Sequence, residues 1–410
     1  MTMTENVAAK PTRVSGLVKS VSQSLMSFSF SIGGLLTGTL LILYFNVFSI
    51  AEAPWALILF PGVLSVRGAI GGLFSGHLST GLHLGTIKAR YTKNTRDFHV
   101  LIRAVVTLAL LSAVAIGAGA SVFGVFLWKA TPMDFVKLLA VVMATMAMSV
   151  VLISPITIAV SVFSFRRGLD PDIVAYPIIS TIADIIDTAC YILSLYLFFT
   201  MDHVGFYVIG IVDLAFLSLV LYIFAKNLRE KVFAKMIREF LLTLVFVTVI
   251  VNVTGAFLQE ISGITRNGTQ IYIVYPALIT TIGGLGSIVG STATTKLALG
   301  VIRPSFSSIR QHLNEIGGAW VASIVMFAFY FLISSSISGT LTLSDSLKYA
   351  AQLLITNALA AFVMVIVSYA VAVSTYRRGW DPDNFVIPIE SSLADSVTTI
   401  SLLIALTAIV

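Results

Sequence analysis

Two aspartates sit where charge is expensive. Arg166 to Asp184 reads RRGLDPDIVAYPIISTIAD, and Arg377 to Asp395 reads RRGWDPDNFVIPIESSLAD. Eleven of these nineteen positions are identical, at a constant offset of 211 residues. Each copy enters a long apolar run that carries its aspartate, Asp184 or Asp395, well inside. A carboxylate at the centre of a membrane span costs roughly 2.5–3.5 kcal/mol by insertion scales, and such residues mark pathways and sites. Two of them at equivalent places suggest one site built from both halves of the chain.

The neighbours of each aspartate share its chemistry. On a helix, residues three and four apart lie on one face. Around Asp184 those positions hold Ser180, Thr181, Asp187 and Thr188; around Asp395 they hold Ser391, Ser392, Thr398 and Thr399. Each stripe is rich in oxygen and must face protein or water rather than lipid. Hard cations such as Mg2+ and Ca2+ take oxygen ligands, and Mg2+ tends to keep several of its waters. No histidine lies on the stripes, and Cys190 is off their register, which disfavours zinc or copper(I). The bland reading of the hydroxyls is hydrogen bonding between helices, common in membrane proteins.

Other polar residues are less symmetric. Asp187 is matched by Thr398 in the second copy, and Glu390 by Ile179 in the first. Both are candidates for the same pathway, with Glu390 expected toward its inner mouth. Asp213 calls for a basic partner such as Arg67 or Lys296, and its pairing stays open on residues alone. Asp170-Pro171-Asp172 and Asp381-Pro382-Asp383 suit helix starts; collecting cations at the mouth is the sharper alternative. His77 and His83 read as packing residues rather than ligands.

The elements that must hold these residues span a membrane. Hydrophobic residues make up 57% of the 410 and charged ones 11%, which excludes an ordinary soluble enzyme. The N-terminus shows no signal-peptide pattern. The single cysteine precludes an intrachain disulfide. Eleven spans are expected, near 25–49, 54–87, 100–129, 136–165, 173–200, 204–225, 234–258, 273–300, 316–338, 345–375 and 384–410. With the N-terminus inside, eighteen basic residues fall in inner segments and four in outer ones. That bias sets a cytosolic N-terminus and an extracytoplasmic C-terminus. It also accounts for the net charge of +6 without nucleic acid as a partner.

A second repeated stretch pairs Pro61–Gly85 with Pro276–Gly300 at an offset of 215. The expected organisation is therefore a cytosolic segment 1–24, a first five-span repeat 25–203, a linking span and basic loop 204–233, and a second repeat 234–410. Five spans alone would invert the second repeat; the linking span restores its direction. The expected fold is an all-α polytopic membrane protein, a single-chain pseudo-dimer with its pseudo-two-fold along the membrane normal. Glycines mark the middle of both second spans: Gly68, Gly71 and Gly72, and Gly283, Gly284 and Gly286. They permit either a broken helix lining a cavity or close packing of continuous ones. Gly68, Ala69, Gly283 and Gly284 are the candidate lining positions.

The five-span unit, the arginine–DP–proline–Ser/Thr–Asp run and the glycine-rich second span resemble the MgtE family of magnesium transporters and channels. The HLSTGLHLG stretch, His77 to Gly85, is similar to its solute-carrier relatives, which hold two such units in one chain. The resemblance implies a divalent-cation pathway between the units of a plasma-membrane protein, with Mg2+ as transported ion and Asp184 and Asp395 as central metal ligands. It implies further contacts from the backbone carbonyls of Ser180 and Ser391. An asparagine usual in the family's second span is replaced by Ala69 and Gly284, so a ligand role there is lost. The large cytosolic sensor domain of bacterial members has no counterpart among these residues, so gating by one is not expected.

Two further classes stay open on residues alone. A transporter coupling another substrate to a cation is compatible with the stripes. An intramembrane enzyme is disfavoured, because neither aspartate sits in a GxGD run and Asp184-x-x-Asp187 is only a weak echo of a pyrophosphate-binding motif.

Overall fold

The computed structural model describes residues 13–47, 54–127, 131–167, 171–264, 269–298, 300–338, 343–380 and 386–409. All elements among them are helical. The first repeat comprises α1 (Arg13–Ser29), α2 (Gly34–Val47), α3 (Pro54–Leu84), α4 (Arg96–Leu127), α5 (Pro132–Arg166) and α6 (Pro171–Thr200). The link is α7 (Asp202–Asn227). The second repeat comprises α8 (Lys231–Ile264), α9 (Thr269–Ala298), α10 (Leu313–Ser338), α11 (Leu343–Arg377) and α12 (Val386–Ala408). Among the described residues, eleven helices are long and apolar enough to cross a membrane, α1 and α2 counting as one.

Two expectations are corrected. The first span starts earlier than residue 25, because α1 begins at Arg13 and its apolar stretch at Gly16. Nor is that span a single helix: a 3-10 turn, Phe30–Gly33, separates α1 from α2. Meanwhile the glycine-rich second spans, α3 and α9, are continuous through their glycines and through Pro61 and Pro276. The break lies beside the glycine-rich helices, not in them. Of the DPD motifs, Asp170 and all of Asp381-Pro382-Asp383 lie outside the described residues, while Pro171 and Asp172 open α6.

Local sequence explains several boundaries. Thr131 caps α5 in a reciprocal capping box with Asp134, with Pro132 in the first turn, where its missing N–H costs nothing. Helices α3 and α9 end alike. Gly85 and Gly300, equivalent at the 215 offset, both adopt left-handed backbone (φ 72° and 68°), which glycine adopts without a Cβ clash. Their N–H groups donate to the equivalent carbonyls of Leu82 and Leu297. Arg166 donates to the carbonyl of Ala89, and Arg377 to that of Pro304. These arginines therefore also tie the fourth span of each repeat to the loop after its second span.

The halves interlock. Within each repeat the second helix packs against the third, fourth and fifth: α3 on α4, α5 and α6, and α9 on α10, α11 and α12. The first span crosses over. Helix α1 packs on α10 and α2 on α9, while α8 packs on α4 and α3. Accordingly Phe233, Phe240 and Val247 of α8 belong to the first repeat's core, and Phe28 and Leu35 to the second's. Burial ranks the helices: 89% of the apolar window of α3 is inside the protein, against 17% for α7. The linking helix is thus peripheral, and its exposed Phe206, Ile211, Leu214 and Leu221 suit a lipid surface.

Candidate functional site

The two aspartates meet. A cavity of about 50 Å³ lies between the repeats, and Asp184 and Asp395 both line it. Holding one water takes about 10–15 Å³ on this measure, so there is room for a small ion with a few waters. Ser180 and Ser391, one turn earlier on α6 and α12, line it too. So do Gly68, Gly283 and Gly284 from the second helices. A Cβ on Gly68 would lie 2.8 Å from Ser391 Oγ, so a side chain there would displace the serine hydroxyl that lines the cavity. On Gly284 a Cβ would lie 2.9 Å from the Phe28 ring.

The aspartates are served across the repeats. The Thr280 hydroxyl on α9 lies 3.2 Å from Asp184 Oδ2 and 2.7 Å from the carbonyl of Pro276 in its own helix, so its one proton is shared between them. Ser65 on α3 stands beside Asp395. Ser65 and Thr280 are equivalent at the 215 offset, so each repeat's second helix brings a hydroxyl to the cavity that the other's aspartate lines, although Ser65 Oγ makes no hydrogen bond to it. Neither was among the sequence candidates. Both lie inside the duplicated stretch as hydroxyls three residues before a cavity glycine, and that match was the available signal. The wall formed by Ser27, Phe28 and Ser31 was also missed, since these residues fall in the first span, where no repeated motif singled them out.

The remaining stripe residues serve the frame. Thr181 donates to the carbonyl of Phe30 at 3.0 Å, in the 3-10 turn between α1 and α2. Thr399 donates to the Asp395 carbonyl at 2.6 Å and meets Tyr275 Oη at 2.8 Å. Thr188, Ser392 and Thr398 are buried away from the cavity lining, as is Ala69. Asp187 points to Arg67, whose Nε is 3.7 Å from Oδ1, both side chains being almost wholly buried. Glu390 is 1% exposed and lies against Gly290 of α9, outside the cavity lining. No basic side chain pairs with it among the described residues.

The candidate partners of Asp213 are engaged elsewhere. Arg67 is with Asp187, and Lys296 is 2.8 Å from Glu315 and 3.2 Å from His312 Nδ1. His83 bonds the Ser79 carbonyl within its own helix and meets the Phe165 ring edge-on, a packing role. Among the described residues no group of three or more His, Cys, Asp or Glu forms a ready-made metal cluster. Oxygen ligands here come from two carboxylates and hydroxyls, a sparse set that suits an ion keeping part of its water shell.

The family model described as MgtE, divalent cation transporter, matches this sequence twice, over residues 60–194 and 275–405. Each match runs from the second helix of a repeat to its fifth. No curated protein and no solved structure matches.

Proposed function

The chain belongs to the MgtE family of divalent cation transporters, and we propose that it carries Mg2+ through a pathway between its two repeats, with Asp184 and Asp395 as the central ligands. One observation carries this reading: equivalent carboxylates from the two repeats line a single cavity. A doubly charged ion in a low-dielectric interior needs compensating negative charge, and two carboxylates supply it. Ser65, Thr280 and the backbone near Ser180 and Ser391 then hold the waters that Mg2+ retains. The wholly oxygen donor set favours Mg2+, with Mn2+, Co2+ and Ca2+ as competitors. The setting we propose is the plasma membrane, with the N-terminus in the cytosol and the ion as substrate rather than reactant, so no enzymatic step is involved.

The test is ion flux in reconstituted vesicles, with and without sodium or proton gradients. Asp184→Asn and Asp395→Asn each keep an oxygen but lose the charge. Each is expected to cut Mg2+ flux by at least about tenfold, equivalent to about 1.4 kcal/mol, while the protein stays folded. Wild-type Mg2+ flux in both variants refutes the reading. Flux of an organic substrate driven by a cation gradient, with none of Mg2+ itself, would establish coupled transport instead.

A further inference from the structure

The first repeat holds a buried ion pair that the second lacks as a unit. Arg67 on α3 is 3.7 Å from Asp187 on α6, and its Nε donates to Ser149 Oγ on α5 at 2.8 Å. At the repeat offsets of 215 and 211, the corresponding residues are Ile282, Thr398 and Ala360. Neither charge has a counterpart there, so replacing this pair by its second-repeat residues is charge-neutral; the second repeat's own buried carboxylate, Glu390 in place of Ile179, lies outside the cavity lining. The pair is also next to the cavity. Arg67 directly precedes Gly68, which lines it, and Asp187 lies one helical turn from Asp184 on α6. Two carboxylates therefore line the cavity, and a third, one helical turn away and outside the lining, has its own cation.

We propose that Arg67 is a resident counter-cation that neutralises Asp187, leaving the shared cavity two uncompensated carboxylates, the charge that matches a divalent ion. This rests on Asp184 and Asp395 binding the transported ion. Without Arg67, the third carboxylate adds its field to the cavity, so the ion is held more tightly and released more slowly. Without Asp187, the nearest carboxylate on α6 for the freed guanidinium is Asp184, and the cavity loses part of its negative charge. Arg67 and Asp187 are thus positioning residues that act through the field at the site.

The experiment replaces the pair with the second repeat's residues and measures Mg2+ flux in sealed vesicles across a range of Mg2+ concentrations. Asp187→Thr is expected to raise KM by about tenfold. Arg67→Ile is expected to lower both KM and the maximal rate. The double variant Arg67→Ile/Asp187→Thr is charge-neutral, as is Arg67→Lys, and both should return KM to within about threefold of wild type. A merely structural pair would change the amount of folded protein without shifting KM in opposite directions. Single variants with unchanged KM, shifts in the same direction, or a double variant with KM tenfold from wild type each overturn the proposal. Should a single variant fail to fold, the double variant and Arg67→Lys still decide it by the same KM criterion. Asp184→Asn and Asp395→Asn, measured alongside, report on the cavity separately. Flux lost there with KM unmoved in the pair variants rejects the counter-cation alone; flux retained there rejects the ion site itself.

Discussion

At the scale of single residues, charge and hydroxyl contribute differently to the cavity. A carboxylate supplies the field that a dehydrating cation needs, whereas Thr280 and Ser65 supply neutral dipoles. A neutral hydrogen bond contributes about 0.5–1.5 kcal/mol, so Thr280→Val is expected to reduce Mg2+ flux by no more than about tenfold. Ser65→Ala should fall in the same range, because it is the equivalent position facing the other aspartate. Flux measured beside Asp184→Asn checks the ranking, and a Thr280→Val loss equal to the charge removal would contradict it. The aspartates were legible in sequence because intramembrane carboxylates are rare and these two recur in register. Glu390 and Asp187 looked like their companions, yet a stripe drawn on one helix does not show what packs on its other faces. Asp187 meets Arg67, and Glu390 lies against Gly290. Those contacts depend on how α3 and α9 approach, which the period of a single helix does not encode.

At the scale of elements, glycine placement separates sites of close approach from open ones. A Cβ on Gly34 would lie 2.7 Å from the Ala277 backbone nitrogen, whereas one on Gly71 would meet nothing within 4 Å. Backbone cannot yield as a flexible side chain can, and overpacking costs about 1–3 kcal/mol. Gly34→Val is therefore expected to lower the melting temperature in detergent, with α2 pushed off α9. Gly71→Ala is expected to leave it unchanged or raise it slightly, by about 0.4–1 kcal/mol of stability. Equal melting temperatures for the two variants would remove the packing account. The second helices were legible as glycine-rich elements, their central place in each repeat was not, and their continuity was one of two readings the glycines allowed. The break between α1 and α2 was not legible, because its cause is tertiary. Gly33 lies against Thr181, and Gly38 against the backbone of Tyr272 and Ile273. The chain there is wedged between α6 and α9, and the Thr181 hydroxyl donates to the carbonyl of Phe30.

At the scale of the whole molecule, duplication accounts for both the shared cavity and the interlocked halves. A divalent ion moving inward across about 100 mV, inside negative, gains about 4.6 kcal/mol, twice the value for one charge. Mg2+ uptake into vesicles is thus expected to rise with an imposed inside-negative potential and to need no second ion. Uptake indifferent to potential would point to electroneutral exchange. The count of spans and the duplication could be read from the sequence; the exchange of first spans could not, because repeats in one chain show equivalence without showing which copy packs on which. That exchange makes each half incomplete alone. Helix α8 places Phe233, Phe240 and Val247 in the core of the first repeat, and α1 and α2 bring Phe28 and Leu35 into the second. By contrast, the connection between α7 and α8 is short and close to the surface, since Leu228 is exposed and Arg96, its neighbour across the loop through Glu230, is exposed as well. A chain cut after Leu228 should therefore reassemble. Co-expressed fragments 1–228 and 229–410 are expected to co-purify in detergent and to transport Mg2+ in vesicles. Each fragment expressed alone should aggregate or be degraded, because the surface its missing partner helix covers is left bare. Two fragments that fold and purify separately as monomers would show that the crossed first spans do not hold the halves together.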